Sequence, residues 1–176
     1  MIEALITSKT RIKLLLKFFL NSESESYLRG LESDFCESTN AIRLELNKFE
    51  EAGLLHAINR GNKKIFKANT FHPLFADINS IIHKYVGIDQ IIKRIINKLG
   101  NLEKVFLTGS LAAGNDSKQI DLLFVGVDID TEYLSQLIHK AEAFISRKIV
   151  FQICNPNELD VKLFAKNEKF LLIWQR

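Results

Sequence analysis

The chain has 176 residues, enough for one large domain or two small ones, and a chain this long buries enough surface to need no disulfide or metal staple. Apolar residues at 47% and charged residues at 26%, with two Pro and eight Gly, exclude a disordered, fibrous or low-complexity chain. Basic residues outnumber acidic ones by 24 to 21, and a formal charge of +3 announces no polyanion partner unless the cations gather on one face. Cys36 and Cys154 form no disulfide framework and read as buried thiols in a reducing compartment. Lys9, Arg11, Lys13 and Lys17 interrupt the apolar start too often for a signal core, and no run approaches the ~18 apolar residues of a membrane span, so a cytoplasmic protein without a membrane partner is expected.

In chain order, Thr7 or Ser8 caps a first helix with Ile12, Leu15, Leu16 and Phe19 inward and Lys9, Lys13 and Lys17 outward. After a polar break from Asn21 to Glu25, Tyr27, Leu28 and Leu31 give a short second helix. A turn follows from Asp34 to Glu37, then a third helix from the N-cap Ser38 to Ala52, which buries Ile42, Leu46 and Phe49 and stops at Gly53. The period then changes to two: Leu54–Ile58 and Lys64–Ala68 flank Asn59-Arg60-Gly61-Asn62, a β-hairpin. Pro73 opens a helix through Leu74, Ile78, Ile81, Ile82 and Tyr85, and after Gly87 a second follows through Ile91, Ile92, Ile95, Ile96 and Leu99, ended by Gly100. Strands are expected at Lys104–Thr108, Ile120–Val125 and Lys148–Cys154, with a helix at Asp130–Ser146, a capping-box-like start at Asn155-Pro156-Asn157-Glu158, and a final segment from Glu168 to Trp174.

Three helices, a glycine stop and a basic hairpin follow the order of a winged helix-turn-helix, whose third helix enters the major groove of double-stranded DNA while the wing meets phosphate. With Ile42, Leu46 and Phe49 inward, Asn40, Arg43 and Asn47 share the outward face. Arginine suits guanine and asparagine suits adenine, Thr39 at the helix start can meet a phosphate or a thymine methyl, and Arg60, Lys63 and Lys64, with Lys67 beside them, give the wing a sequence-blind attraction. Glu37, Glu45, Glu50 and Glu51 would oppose phosphate if they faced it, and such modules also serve as protein-interaction domains. The run Ser38-Thr39-Asn40-Ala41-Ile42-Arg43 through Glu50-Glu51-Ala52-Gly53-Leu54-Leu55, followed by Arg60-Gly61-Asn62-Lys63-Lys64, resembles bacterial regulators related to the arsenical-resistance repressor over residues 8–86. That resemblance implies a homodimer. The metal sensors of that family use clustered Cys and His ligands, and His56, His72, His83 and His139 lack ligand-like spacing, so no metal site is expected.

Val105–Gly114 ends a strand in a Gly109-Ser110 turn that can cradle phosphate. Followed by Gln119-Ile120-Asp121, it resembles the nucleotidyltransferase fold, whose signature is Gly-Ser, a short helix and two aspartates at i and i+2 of the next strand, where alternation points both carboxylates to one side. Asp121 matches the second aspartate, Gln119 stands in place of the first, and Val150 stands where the resemblance would put a third acid. Asp116, Asp128 and Asp130 are the nearby replacements, with Asp130 also suited to cap the following helix. The fold expected is therefore α+β: a winged helix-turn-helix over 1–72, connector helices over 73–100, and a nucleotidyltransferase-like α/β domain over 101–176. The function expected is a DNA-binding transcriptional regulator, no enzyme, with no catalytic residues and no cofactor. Gly109, Ser110 and Asp121 would be a vestigial nucleotide site, open to a nucleotide ligand or kept only for steric reasons. The alternatives are a metal-dependent nucleotidyltransferase acting on a protein or RNA, and a non-catalytic interaction adaptor.

Overall fold

In the computed structural model, which describes residues 2–159 and 169–176, the chain is α+β and divides into two units. The first is Met1–Ile82 with Gly114–Asp116, and the second is His83–Ala113 with Ser117–Arg176. The stretch 73–100, expected as a connector, is shared between them. Among the described residues, no helix is long and apolar enough to cross a membrane.

In the first unit, α1 (Lys9–Leu15) starts where Ser8 accepts a hydrogen bond from the Arg11 amide. It then widens into a π-helical turn, Leu16–Leu20. The wider turn rotates the side chains that follow. Lys17, expected outward with Lys9 and Lys13, is instead only 5% exposed and pairs through Nζ with Asp34 at 2.7 Å. A two-residue strand, β1 (Ser26–Tyr27), precedes α2 (Leu28–Phe35), which runs through Asp34 where a turn was expected. It ends at Cys36 with φ of 52°; this cysteine is exposed, not the buried thiol expected, because a left-handed cap turns its side chain away from the helix packing.

Ser38 caps α3 (Thr39–Glu51) by accepting from the Ala41 amide, and Ile42, Leu46 and Phe49 are buried as their spacing predicts. Gly53, with φ of 71°, takes the left-handed step that ends the helix. β2 (Leu55–Arg60) and β3 (Lys63–Ala68) pair antiparallel across the two-residue turn Gly61-Asn62, and β1 pairs with the other edge of β3. A helix, a short strand, two helices and a hairpin with sheet order β1-β3-β2 make a winged helix.

The helices α4 (Phe75–Val86) and α5 (Ile88–Arg94) follow, with Ile82, Val86, Ile88 and Ile91 buried. The second unit is built on a sheet of order β6-β5-β4-β7, from β4 (Leu102–Thr108), β5 (Gln119–Gly126), β6 (Lys148–Cys154) and β7 (Leu171–Gln175). The expected start of the last segment, Glu168, lies outside the described residues. β4 pairs antiparallel with β5 and β7, whereas β5 and β6 run parallel and are joined through α7 (Thr131–Glu142). β5 is a near-continuous apolar run because it is buried from Leu122 to Gly126, as a central strand with both faces covered requires. Leu123, Val125, Cys154 and Leu159 form one cluster, so Cys154 is a buried thiol as expected. Asp130 caps α7 through the Tyr133 amide at 2.9 Å, also as expected. The capping box expected at Asn155 does not form; the turn Pro156–Glu158 has no side-chain cap.

Candidate functional site

In the second unit the Gly109-Ser110 turn and Asp121 are one site. Thr108, the last residue of β4, lies opposite Asp121 of β5, so the chain that leaves β4 turns over that carboxylate. Gly109 makes the turn with φ of 65° and lies so close that a Cβ there would come 2.6 Å from Asp121 Oδ2. The dihedral favours glycine, and a Cβ there would displace the Asp121 carboxylate. The turn opens α6 (Gly109–Ala112), a single helical turn whose first N–H groups have no intrahelical acceptor. Ser110 is exposed at this turn, beside a carboxylate that is half-buried.

Gln119, two residues before Asp121 on β5, shares its side of the strand and donates from Nε2 to Asp121 Oδ1. Its side chain carries one neutral carbonyl oxygen where the resemblance would put a carboxylate. Val150 pairs with Asp121 across the parallel β5–β6 ladder and is 47% exposed, so the position expected for a third acid does adjoin the site and carries no ligand. Two of the expected replacements do not reach it. Asp128, with φ of 51°, and the cap Asp130 follow the far end of β5, whose eight residues span roughly 26 Å at the rise of a strand. Asp116 is exposed in the loop before β5.

Three cations that sequence reasoning missed adjoin this edge. Parallel pairing sets Lys148 opposite Gln119, and the Lys148 amide donates to the Lys118 carbonyl at 2.9 Å. Arg147 donates to the Ser117 carbonyl and lies 5.3 Å from the Tyr85 ring centroid. The sequence signal was the Arg147-Lys148 pair opening β6, legible only once β6 is laid parallel to β5. Lys148 also contacts Glu142 at 3.2 Å, and Glu142 accepts from the Ile149 amide, a bond that with Lys148 holds its carboxyl below the ordinary value.

Among the described residues, no group of three His, Cys, Asp or Glu could hold a metal ion. One carboxylate and one amide carbonyl still fit the sparse way in which magnesium is held when most of its oxygens come from water and substrate phosphates. Asp121 and Gln119 would hold it.

In the first unit, Asn40, Arg43 and Asn47 are exposed on α3, Thr39 is half-buried at its start, and Leu44, at 53% exposure, lies outside the core stripe. Of the four acids expected to oppose phosphate, Glu45 is buried against Arg11 of α1 at 2.8 Å and Glu37 holds Lys13 at 2.6 Å, whereas Glu50 stands beside the wing, paired with Lys64, and Glu51 is exposed. The wing cations are, however, largely paired: Arg60 with Glu25 at 2.8 Å, Lys64 with Glu50 at 2.6 Å and Lys67 with Glu23 at 2.7 Å. Lys63 instead sits 4.4 Å from the Tyr27 ring centroid. Arg43, Asn47, Lys63 and Lys64 line one cavity, together with Arg29 and Asn62, which the sequence did not single out; Thr39, Asn40 and Arg60 do not line it.

Neither a protein-family model nor a curated protein matches the chain. Two solved structures resemble it. One, a toxin–antitoxin with AMP-PNP, is 17% identical, with a TM-score of 0.41 over 51% of this chain and 74% of that one. The other, a candidate nucleotidyltransferase from Sulfolobus solfataricus, is 21% identical, with a TM-score of 0.37 over 53% of this chain and 82% of that one. The fold of the chain is α+β. The attribution to arsenical-resistance-like regulators gains nothing from these likenesses. The expectation that the chain is no enzyme is withdrawn, since neither likeness supports it. It rested on counting absent carboxylates, and a cation that rides on substrate phosphates needs only one or two from the protein.

Proposed function

We propose that the chain is a nucleotidyltransferase that acts on a protein or an RNA through the site at Gly109, Ser110 and Asp121. The observation that carries this reading is the fit of the Gly109 turn over the Asp121 carboxylate, which makes a phosphate-binding turn and an acid one constellation. The turn and Ser110 orient the triphosphate, and Lys118 and Lys148 at the neighbouring strand starts offset its charge. A divalent cation bound with the nucleotide would neutralise phosphate charge. An acceptor hydroxyl bonds to the α-phosphorus, the bond from that phosphorus to pyrophosphate breaks, pyrophosphate leaves with the electron pair, and the hydroxyl proton passes to solvent by way of Asp121.

The test is incubation of the full chain with an α-labelled nucleoside triphosphate, magnesium or manganese, and RNA or protein acceptors. Label is expected on an acceptor or on the chain itself and is expected to vanish in Asp121→Asn. Absence of transfer with either ion across both acceptor classes contradicts the reading.

A second reading, a DNA-binding regulator acting as a homodimer, is favoured by the exposure of Asn40, Arg43 and Asn47 on one face of α3 with Glu45 of that helix buried against Arg11. Thr39 and the wing residues Arg60, Lys63 and Lys64 would complete the grip. On this reading Arg43→Ala costs ~1–3 kcal/mol on a selected duplex site and relaxes its specificity, whereas Lys63→Ala weakens all duplexes alike. Unchanged affinity in both variants would remove it.

A further inference from the structure

The cavity beside α3 has a volume of 460 Å³, within the roughly 300–1,000 Å³ that small-molecule pockets occupy. Its lining is of three kinds. Leu28, Leu46 and Phe66 are apolar, Asn47 and Asn62 offer amides, and Arg29, Arg43 and Lys63 are cationic. Among the described residues, Arg29 and Arg43 make no hydrogen bond or ion pair, whereas Arg11 and Arg60 of the same unit each hold a glutamate. No acid lines the cavity.

Two unpartnered guanidiniums on one hollow ask for an anion, and planar guanidinium suits phosphate. A phosphate alone would leave the apolar wall and both amides unused. A nucleobase uses them: its face lies on apolar or aromatic surface, and its edge takes amide hydrogen bonds. A base stacked inside a duplex cannot enter such a hollow, whereas an unstacked one can.

We infer that this cavity takes one unstacked nucleotide of a single-stranded nucleic acid. The base lies against the half-buried Leu28, over the buried Leu46 and Phe66, within reach of Asn47 and Asn62, and the adjoining phosphates meet Arg29 and Arg43. Lys63, held over Tyr27 by its ring, is the cation at the rim. The inference does not depend on transfer at Asp121, and it differs from the duplex grip in recruiting Arg29.

The experiment is fluorescence anisotropy of the full chain with a labelled single-stranded oligonucleotide and with the matching duplex, at one fixed salt concentration. The single strand should bind about tenfold more tightly, the factor that stacking one base supplies. Arg29→Ala should weaken the single strand several-fold and leave the duplex unchanged, with Arg29→Lys intermediate and the circular-dichroism melt of each variant matching the parent. Equal or better binding of the duplex, indifference of the single strand to Arg29→Ala, or equal competition by a phosphoserine peptide would overturn the inference. A failed label-transfer assay would leave it standing.

Discussion

At Gly109 a single hydrogen atom separates a working turn from a collision. A Cβ would meet Asp121 Oδ2 at 2.6 Å, and the φ of 65° is costly for any other residue. Gly109→Ala is expected to lower stability by about 1–3 kcal/mol in denaturant titration and to push the Asp121 carboxylate from its place, because residues other than glycine pay for the left-handed region. Two acids set the behaviour in acid. Burial raises Glu37 and Glu45, yet Lys13 and Thr10 on the one, and Arg11 and Lys48 on the other, bring both below the ordinary 4.5. A depressed folded value means that their stabilisation is complete above that ordinary value and is lost as pH falls through the folded one. Melting temperature should therefore drop as pH falls below about 4.5, and part of that drop should disappear in Glu45→Gln.

At the scale of elements, the wing carries the sharpest consequence. Three of its cations are matched by Glu23, Glu25 and Glu50, and such exposed pairs contribute ~0–1 kcal/mol, so phosphate can compete for the cations only at a cost. Converting all three acids to Gln should raise affinity for any polyanion and steepen the dependence on salt by about two to three counterions, read from binding across a salt series. These pairings also mark where sequence reasoning stops. The helix α3 was legible from Ser38 to Gly53 because cap, period and glycine all agree locally. Which cation meets which acid depends on strand register, with Arg60 and Glu25 standing 35 residues apart. β1 was illegible because two residues are too short to show alternation, and yet it carries Tyr27 to the sheet edge. Lys17 was misplaced because a helical period of 3.6 gives no warning of a π turn.

At the scale of the whole molecule, the chain has a winged-helix unit and a unit built on the four-stranded sheet β6-β5-β4-β7. In the second unit the motif Gly109-Ser110 followed by Asp121 was readable at once, since its elements are neighbours in sequence. The basic edge from Lys118, Arg147 and Lys148 appeared only with the parallel pairing of β5 and β6. Lys148→Ala should weaken nucleotide binding while sparing the fold, because its side chain is exposed and its contact with Glu142 is at the surface. A nucleoside triphosphate bound at the turn should stabilise the native chain by about 2.7 kcal/mol at a hundredfold excess over its Kd, seen as a rise in melting temperature. The most direct measurement is calorimetric titration of the chain with a non-hydrolysable nucleoside triphosphate and magnesium, repeated on folded Asp121→Asn. One site per chain, weakened when Asp121 loses its charge, is the result the account predicts. No binding, or binding indifferent to Asp121, would contradict it.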